Sequence, residues 1–142
     1  INLAEEILID KKDEIQKNII DQSKLFLENQ KFYIGNPNGT KIIYEFFDYN
    51  CGYCKSVVKT IMDVLSEDKK VNFVFVEFPI LSQQSYFAAK AALASKNQDL
   101  YNKFHLSLMT IKGRVNEEKV FSTANRIDCD FQRRRVFFQS NL

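Results

Sequence analysis

Cysteine is scarce in this chain, with three in 142 residues. That is too few for a disulfide-stapled secreted scaffold, so the framework must come from an apolar core, and the three read as one pair plus one extra. Charge of one sign is equally thin. Twenty Lys and Arg against eighteen Asp and Glu leave a net +2, and no stretch has the clustered basic and aromatic pattern of a nucleic-acid surface, so no nucleic-acid partner is expected. No apolar run approaches the ~20 residues that a membrane span needs. The chain opens at Ile1 without a basic segment, an apolar core or an initiator Met, which is the expectation for a processed or trimmed chain. What is abundant is apolar: 45% hydrophobic residues, thirteen of them Phe, fit one globular domain with a substantial core.

Glycine and proline are also missing from residues 1–30, where Glu, Lys, Gln, Ile and Leu dominate. The composition predicts one long helix. Its apolar residues recur at a spacing of eleven (Ala4, Ile15 and Phe26; Leu8 and Ile19; Ile9 and Ile20), which is almost three full turns and draws one stripe along the helix. At ~1.5 Å per residue such a helix is roughly 45 Å long, more than a small domain needs to cover itself. Two readings stand side by side: the stripe packs back on its own domain, as amphipathic helices do, or it joins copies into a homo-oligomer. The division expected is residues 1–31 as this helix and 32–142 as the domain.

Residues 32–34 (Phe, Tyr, Ile) followed by Gly35-Asn36-Pro37-Asn38-Gly39 mark a boundary rich in turn formers. The run Ile42-Ile43-Tyr44-Glu45-Phe46-Phe47 then reads as a buried strand, and Val57, Val58, Ile61, Met62 and Leu65 have helical spacing. Cys51-Gly52-Tyr53-Cys54 lies between them, at a helix start. There the first-turn N–H groups are unpaired and the dipole is positive, which favours a thiolate on Cys51 and raises its reactive fraction. Cys54, three residues on, can close a disulfide across the turn. Cys-x-x-Cys also begins zinc ribbons, but a structural zinc needs four ligands, and only Cys129 and His105 remain, with no second paired motif. A redox pair is the better reading, and no metal or cofactor is called for.

Residues 71–78 (Val-Asn-Phe-Val-Phe-Val-Glu-Phe) form a second strand by composition. Strand, helix and strand in succession make the two strands parallel, with Cys51 at the C-terminal end of the first, where open α/β sheets place their chemistry. Pro79 ends the second strand. Helices are expected over 86–95, 100–110 and 116–126, the last capped by Asn116, with a break at 97–99 and a turn at 112–114. Among the single polar residues, Glu45 is a carboxylate in an apolar strand, costly unless it has a partner or a task; a water-facing edge position is its plainer alternative. Glu77, flanked by Val76 and Phe78, is a similar oddity with less to tie it to the cysteines. Lys55 reads as an exposed helix lysine, His105 as a packed core histidine rather than a base, and Cys129 as a buried free thiol.

These stretches, with Glu77-Phe78-Pro79-Ile80-Leu81, Ser85, Ala88-Ala89-Lys90-Ala91-Ala92 and Tyr101, Phe104, His105, Leu108 and Met109, resemble bacterial DsbA-family thiol:disulfide oxidoreductases over about residues 32–130. The resemblance implies an α/β thioredoxin-like fold of the DsbA type with a helical insertion from about residue 82, preceded here by the long helix. It implies Cys51 as nucleophile, more exposed than a buried, resolving Cys54, and Glu45 as a buried acid that manages protons for Cys54. The implied partners are cysteine-containing exported substrates and a membrane redox partner, in a periplasmic or otherwise exported location. Family members with an N-terminal helical extension include oligomeric disulfide isomerases, which keeps isomerase or reductase work as an alternative, beside a redox-impaired interaction module.

The family pattern continues with a hairpin that begins at a cis-proline facing the cysteine pair, then a terminal helix. Here the prolines are Pro37 and Pro79, and residues 131–142 contain none. The expectation is a fold incomplete at its C-terminus, with two strong strands, long unpaired edges and Phe46, Phe73 and Phe75 at risk of exposure unless partner chains or the 1–30 helix cover them. Slow oxidation of protein substrates is expected with it, and a solvated tail over 131–142.

Overall fold

A computed structural model describes residues 2–29 and 32–131. It divides into two compact units, Ile1–Lys31 and Phe32–Leu142. The first is one helix, α1 (Leu3–Glu28), opened by a capping box in which Asn2 accepts from the Glu5 amide and Glu5 reaches back to the Asn2 amide. Leu8, Ile9, Ile15, Ile19, Ile20 and Leu25 are all exposed along it.

The second unit runs β1 (Tyr33–Gly35), β2 (Lys41–Phe47), α2 (Gly52–Glu67), β3 (Val71–Glu77), α3 (Gln83–Ser95), α4 (Tyr101–Met109) and α5 (Glu117–Arg126). The expected parallel pair is present: β2 lies beside β3 with Glu45 opposite Phe75 and Phe47 opposite Glu77. The sheet has a third strand, however. The Phe-Tyr-Ile stretch expected to be a boundary forms β1, antiparallel to β3, with Ile34 opposite Phe73, and the Phe75 amide donates to the Phe32 carbonyl beyond it at 2.7 Å. Three residues are too few to show a period, and their pairing is set by distant chain.

The order β1-β3-β2 puts β3 in the centre, which corrects the expectation for two of the three phenylalanines. Phe73 and Phe75 are 7% and 1% exposed, whereas Phe46, on the edge strand, is 50% exposed. Alternation along the strands assigns the faces. Ile43, Glu45 and Phe47 of β2 share one face with Phe73, Phe75 and Glu77 of β3; this face is covered at Phe47, Phe73 and Phe75, while Ile43 on the edge strand is exposed. Ile61 packs there with Val71 and Phe73. Phe47 and Phe75 join Ala88, Ala92, Phe104, Leu108 and Val120 in a larger core with α3, α4 and α5. Small alanines let α3 approach closely: Ala88, Ala89, Ala91 and Ala92 are fully buried.

α3 starts at its Ser82 cap, earlier than the alanine-rich segment suggests, and α5 starts at Asn116, whose side chain accepts from the Lys119 amide as expected. Between α3 and α4 the chain turns through a 3₁₀ segment, Lys96–Gln98, and Asp99 at φ 56°. The expectations for residues 132–142 lie outside the described residues.

Gly35 closes β1 at φ +112°, and a Cβ there would stand 2.7 Å from the Val71 carbonyl oxygen. Gly35→Ala therefore meets both backbone strain and a backbone clash. It should destabilise the domain by more than ~1 kcal/mol in chemical denaturation, while Gly113→Ala, where a Cβ meets open space at φ +73°, should cost less.

Candidate active site

The loop between β2 and α2 is built from its own sequence. Asp48 is 4% exposed and spends its carboxylate locally, accepting from the Asn50 amide at 2.7 Å and from the Leu81 amide at 3.0 Å. Its carbonyl accepts from the Cys51 amide at 3.0 Å. Asn50 clamps the other side: its Oδ1 accepts from the Val115 amide at 2.7 Å, and its Nδ2 donates to Ser85 Oγ and the Val115 carbonyl, both at 3.1 Å. One Asn thus ties the loop to α3 and to the segment before α5. Nothing in the sequence marks it, because an Asn in a loop has many ordinary uses.

Cys51 is the N-cap of α2, and its Sγ accepts from the Cys54 amide at 3.3 Å. The two thiols are free and both half-buried, so Cys54 is not the fully buried member expected. Burial pushes the Cys54 thiol up, and so do its hydrogen bond with Cys51 and the charge of Glu45; a backbone hydrogen bond from Asp48 works in the opposite direction.

Glu45 is half-buried on the covered face of the sheet, and its Oε2 is enclosed with no hydrogen-bond partner. Desolvation raises its carboxyl to about 7. Glu77, two residues further toward the C-terminal end on the neighbouring strand, does have partners. Its Oε1 accepts from the hydroxyls of Tyr49 at 2.9 Å and Tyr101 at 2.8 Å. Burial outweighs those bonds and lifts it to about 8. Tyr49 Oη also lies 3.1 Å from His105 Nδ1, and the His105 ring packs among Phe47, Phe75 and Tyr101. Burial pulls that imidazole down to about 3, so it is neutral in ordinary buffers. His105 is a core histidine, yet both it and Glu77 are tied to Tyr49, two residues before Cys51. The sequence could not show this link, which depends on α4 docking against the sheet.

Lys55 is not the exposed lysine expected. Its Nζ donates to the carbonyls of Ile111 at 2.9 Å and Gly113 at 2.6 Å, because α2 begins beside the loop between α4 and α5. Cys129 is buried, 3.7 Å from the amide of Gln98, and burial raises its thiol. Neither it nor His105 joins the cysteine pair: among the described residues no cluster of three or more His, Cys, Asp or Glu could hold a metal.

The comparisons with known proteins agree with this geometry. A family model described as thioredoxin matches residues 28–138. A thioredoxin-like oxidoreductase from Silicibacter pomeroyi is 41% identical, with a TM-score of 0.67 over 69% of this chain and 57% of its own. The thiol-disulfide exchange protein alpha-DsbA2 from Wolbachia pipientis is 31% identical, with a TM-score of 0.70 over 85% of this chain and 66% of its own. The Na(+)/H(+) antiporter NhaA 1 of Salinispora arenicola is 25% identical over 95 residues, which are 66% of this chain and 15% of that protein. No helix among the described residues is long and apolar enough to cross a membrane. The fold is thus thioredoxin-like, of the DsbA type, and the chain spans less than two thirds of the length of these proteins.

The raised carboxyls have a thermodynamic consequence. Glu45 and Glu77 bind protons in the folded state up to about 7 and about 8 but in the unfolded chain only up to ~4.3, so the stability they confer is complete below ~4.3 and lost as pH rises through the folded values. His105, with its folded value near 3, acts in the opposite direction, but only below its unfolded value of ~6.5. Between about pH 6.5 and 8 the carboxyls act alone, so thermal stability should fall as pH rises through this window. Glu77→Gln should flatten the Tm-versus-pH curve there.

Proposed function

The chain belongs to the thioredoxin family, and from that premise we propose that it is a thiol:disulfide oxidoreductase that forms or exchanges disulfides in exported proteins through Cys51 and Cys54. The observation that carries this reading is the placement of Cys51 as N-cap of α2 at the C-terminal end of β2, its sulfur facing the Cys54 amide. In the oxidised pair, a substrate thiolate attacks Cys51 Sγ, the Cys51–Cys54 bond breaks, and Cys54 leaves as a thiolate. A second substrate thiolate then attacks the substrate sulfur of the mixed disulfide and releases Cys51 as a thiolate, leaving the substrate oxidised by two electrons and the pair reduced.

Glu45 is the proton donor in this reading. The leaving Cys54 thiolate is disfavoured by burial, and a carboxyl poised at about 7 holds a proton that it gives up near neutral pH. The Leu81 amide is bonded to Asp48, so the exposed side chains of Ile80 and Leu81 stand beside the loop that carries Cys51. With Tyr53, 88% exposed, they offer apolar contact to the unfolded segments that present free thiols. Re-oxidation by a membrane redox partner and a periplasmic location complete the proposal.

Cys51→Ser should abolish exchange with glutathione and with a reduced protein substrate. Cys54→Ser should instead accumulate a mixed disulfide on Cys51, seen as a mass increase that reductant removes. A wild-type protein whose two thiols never pair under oxidising glutathione would overturn the assignment.

A second reading concerns α1. Leu8 and Ile19, Ile9 and Ile20, and Ile15 and Phe26 are exposed and repeat at eleven residues, a pattern that suits a helix packed on copies of itself. Several redox pairs joined in this way raise the effective concentration of the second thiol on one substrate, which favours isomerase work over simple oxidation. Light scattering at several concentrations should give a mass above that of one chain, and removal of residues 1–31 should restore the monomer; a strict monomer of the full chain would sink this reading.

A further inference from the structure

Glu77 does not take part in the reaction described above, yet it is built into the floor of the site. It lies on the covered face of the sheet, at the last position of the central strand, opposite Phe47. Two phenols converge on one of its oxygens. The groups that face it are Tyr49 and Asp48 from the loop before α2 and Tyr101 from α4; His105 of α4 reaches it through Tyr49, and Glu45 acts on Tyr101 from β2. No cation stands among them. A half-buried acid with such donors and, among the described residues, no countercharge is not a structural ion pair, and an apolar residue would fill the place at less cost.

We propose that Glu77 is a positioning residue for the redox pair: its charge state sets how firmly Tyr49 is held, and through Tyr49 it sets the geometry of the Asp48–Cys51 turn. This rests on the thiol:disulfide function proposed above. The Tyr49 hydroxyl has one proton and three polar neighbours: Glu77 Oε1 at 2.9 Å, His105 Nδ1 at 3.1 Å and the Tyr101 hydroxyl. When Glu77 is ionised, a charge-assisted bond holds the hydroxyl toward the carboxylate, and the contact with His105 is then a hydrogen bond in the tautomer that carries its proton on Nδ1. When Glu77 is neutral, that bond weakens and the hydroxyl is free to turn toward an unprotonated Nδ1. Tyr49 follows directly on Asp48, whose carbonyl holds the Cys51 amide at 3.0 Å and whose backbone bonds the Cys54 sulfur. A shift of the ring therefore reaches both cysteines through the Asp48–Tyr49 peptide link and one hydrogen bond between Asp48 and each. Burial places the switch near neutrality, at about 8, while His105 stays neutral and both phenols are raised well above their usual range. Of the groups bonded to Tyr49, Glu77 is therefore the one whose charge changes around neutral pH; Glu45, at about 7, acts on Tyr101 from outside that set of bonds.

The test measures the equilibrium of the Cys51–Cys54 pair with glutathione as a function of pH for wild type, Glu77→Gln, Tyr49→Phe and, as a control for the other acid, Glu45→Gln. The amide imitates the neutral carboxyl. Glu77→Gln should thus match wild type at about pH 6 and differ from it several-fold at about pH 9, where the wild-type carboxylate is charged. Tyr49→Phe removes the link and should erase the same inflection while leaving Glu77 bonded to Tyr101. Glu45→Gln should move a separate inflection at lower pH. Glu77→Gln and wild type differing by one constant factor at every pH, or not at all, would overturn the inference and leave the function standing. Wild type that never forms the disulfide would overturn both. Should Glu77→Gln fail to fold, judged by near-ultraviolet circular dichroism, Tyr49→Phe carries the decision: an unchanged inflection near pH 8 overturns the inference, and its loss supports it.

Discussion

Parallel pairing of β2 with β3 is the constraint on which the rest of this domain depends. Two parallel neighbours cannot be joined by a tight turn, so the chain must cross over, and here it does so through α2. The crossover starts where β2 ends, which puts the N-terminus of a helix at the carboxyl edge of the sheet. Cys51 occupies that point. The same pairing fixes the register in which Phe47 stands opposite Glu77 and Glu45 opposite Phe75, so both carboxyls face the side on which α2 and α4 pack. A shift of one residue in that register would turn one strand's acid to the opposite face and bring up a neighbour such as Phe46 or Val76.

The two acids show how different surroundings divide one chemistry. Each is kept protonated by burial, Glu45 to about 7 and Glu77 to about 8. Glu45 has an enclosed oxygen with no partner, an expensive arrangement that leaves its proton available. Glu77 has two phenolic donors, which favour the anion, but is more deeply desolvated, and desolvation wins. Among the hydrogen bonds and ion pairs of the described residues, no lysine reaches either acid. The nearby Lys55 ammonium is engaged by two loop carbonyls instead, so it supports the wall of the site.

Much of this was legible from the residues. The apolar run before the cysteines, the helical spacing after them and the turn formers around Pro37 placed β2, α2 and the motif, because each is a local pattern with a local cause. Asn116 as a cap and the break before α4 were legible for the same reason. What could not be read was set by docking. β1 is three residues long and exists only because β3 lies beside it. Lys55 has the sequence context of any surface helix lysine, and only the approach of the loop between α4 and α5 supplies its carbonyls. Glu77 was visible as an oddity, an acid in an apolar strand, but its connection to the cysteines runs through Tyr49 and a helix that begins 24 residues later. Periodicity reports which side of an element is buried and is silent about which polar groups meet there.

Reducing a disulfide to two thiols takes up two protons with two electrons, and in a half-buried site water delivers those protons less freely than at the surface. Under the proposed function Glu45 serves Cys54, whose thiol is raised by burial and by the charge of that same acid. The interaction is mutual. A charged Glu45 disfavours the Cys54 thiolate, so transfer of the proton from acid to sulfur leaves one negative charge in the site where two would repel each other. Glu77 lies outside that exchange: the groups that act on the Cys54 thiol are Cys51, Asp48 and Glu45, and the proposed route from Glu77 runs through Tyr49. On these proposals the site responds to pH in two ways: one through protons that take part in the reaction at Glu45, the other through the shape of the loop that holds the pair, set by Glu77.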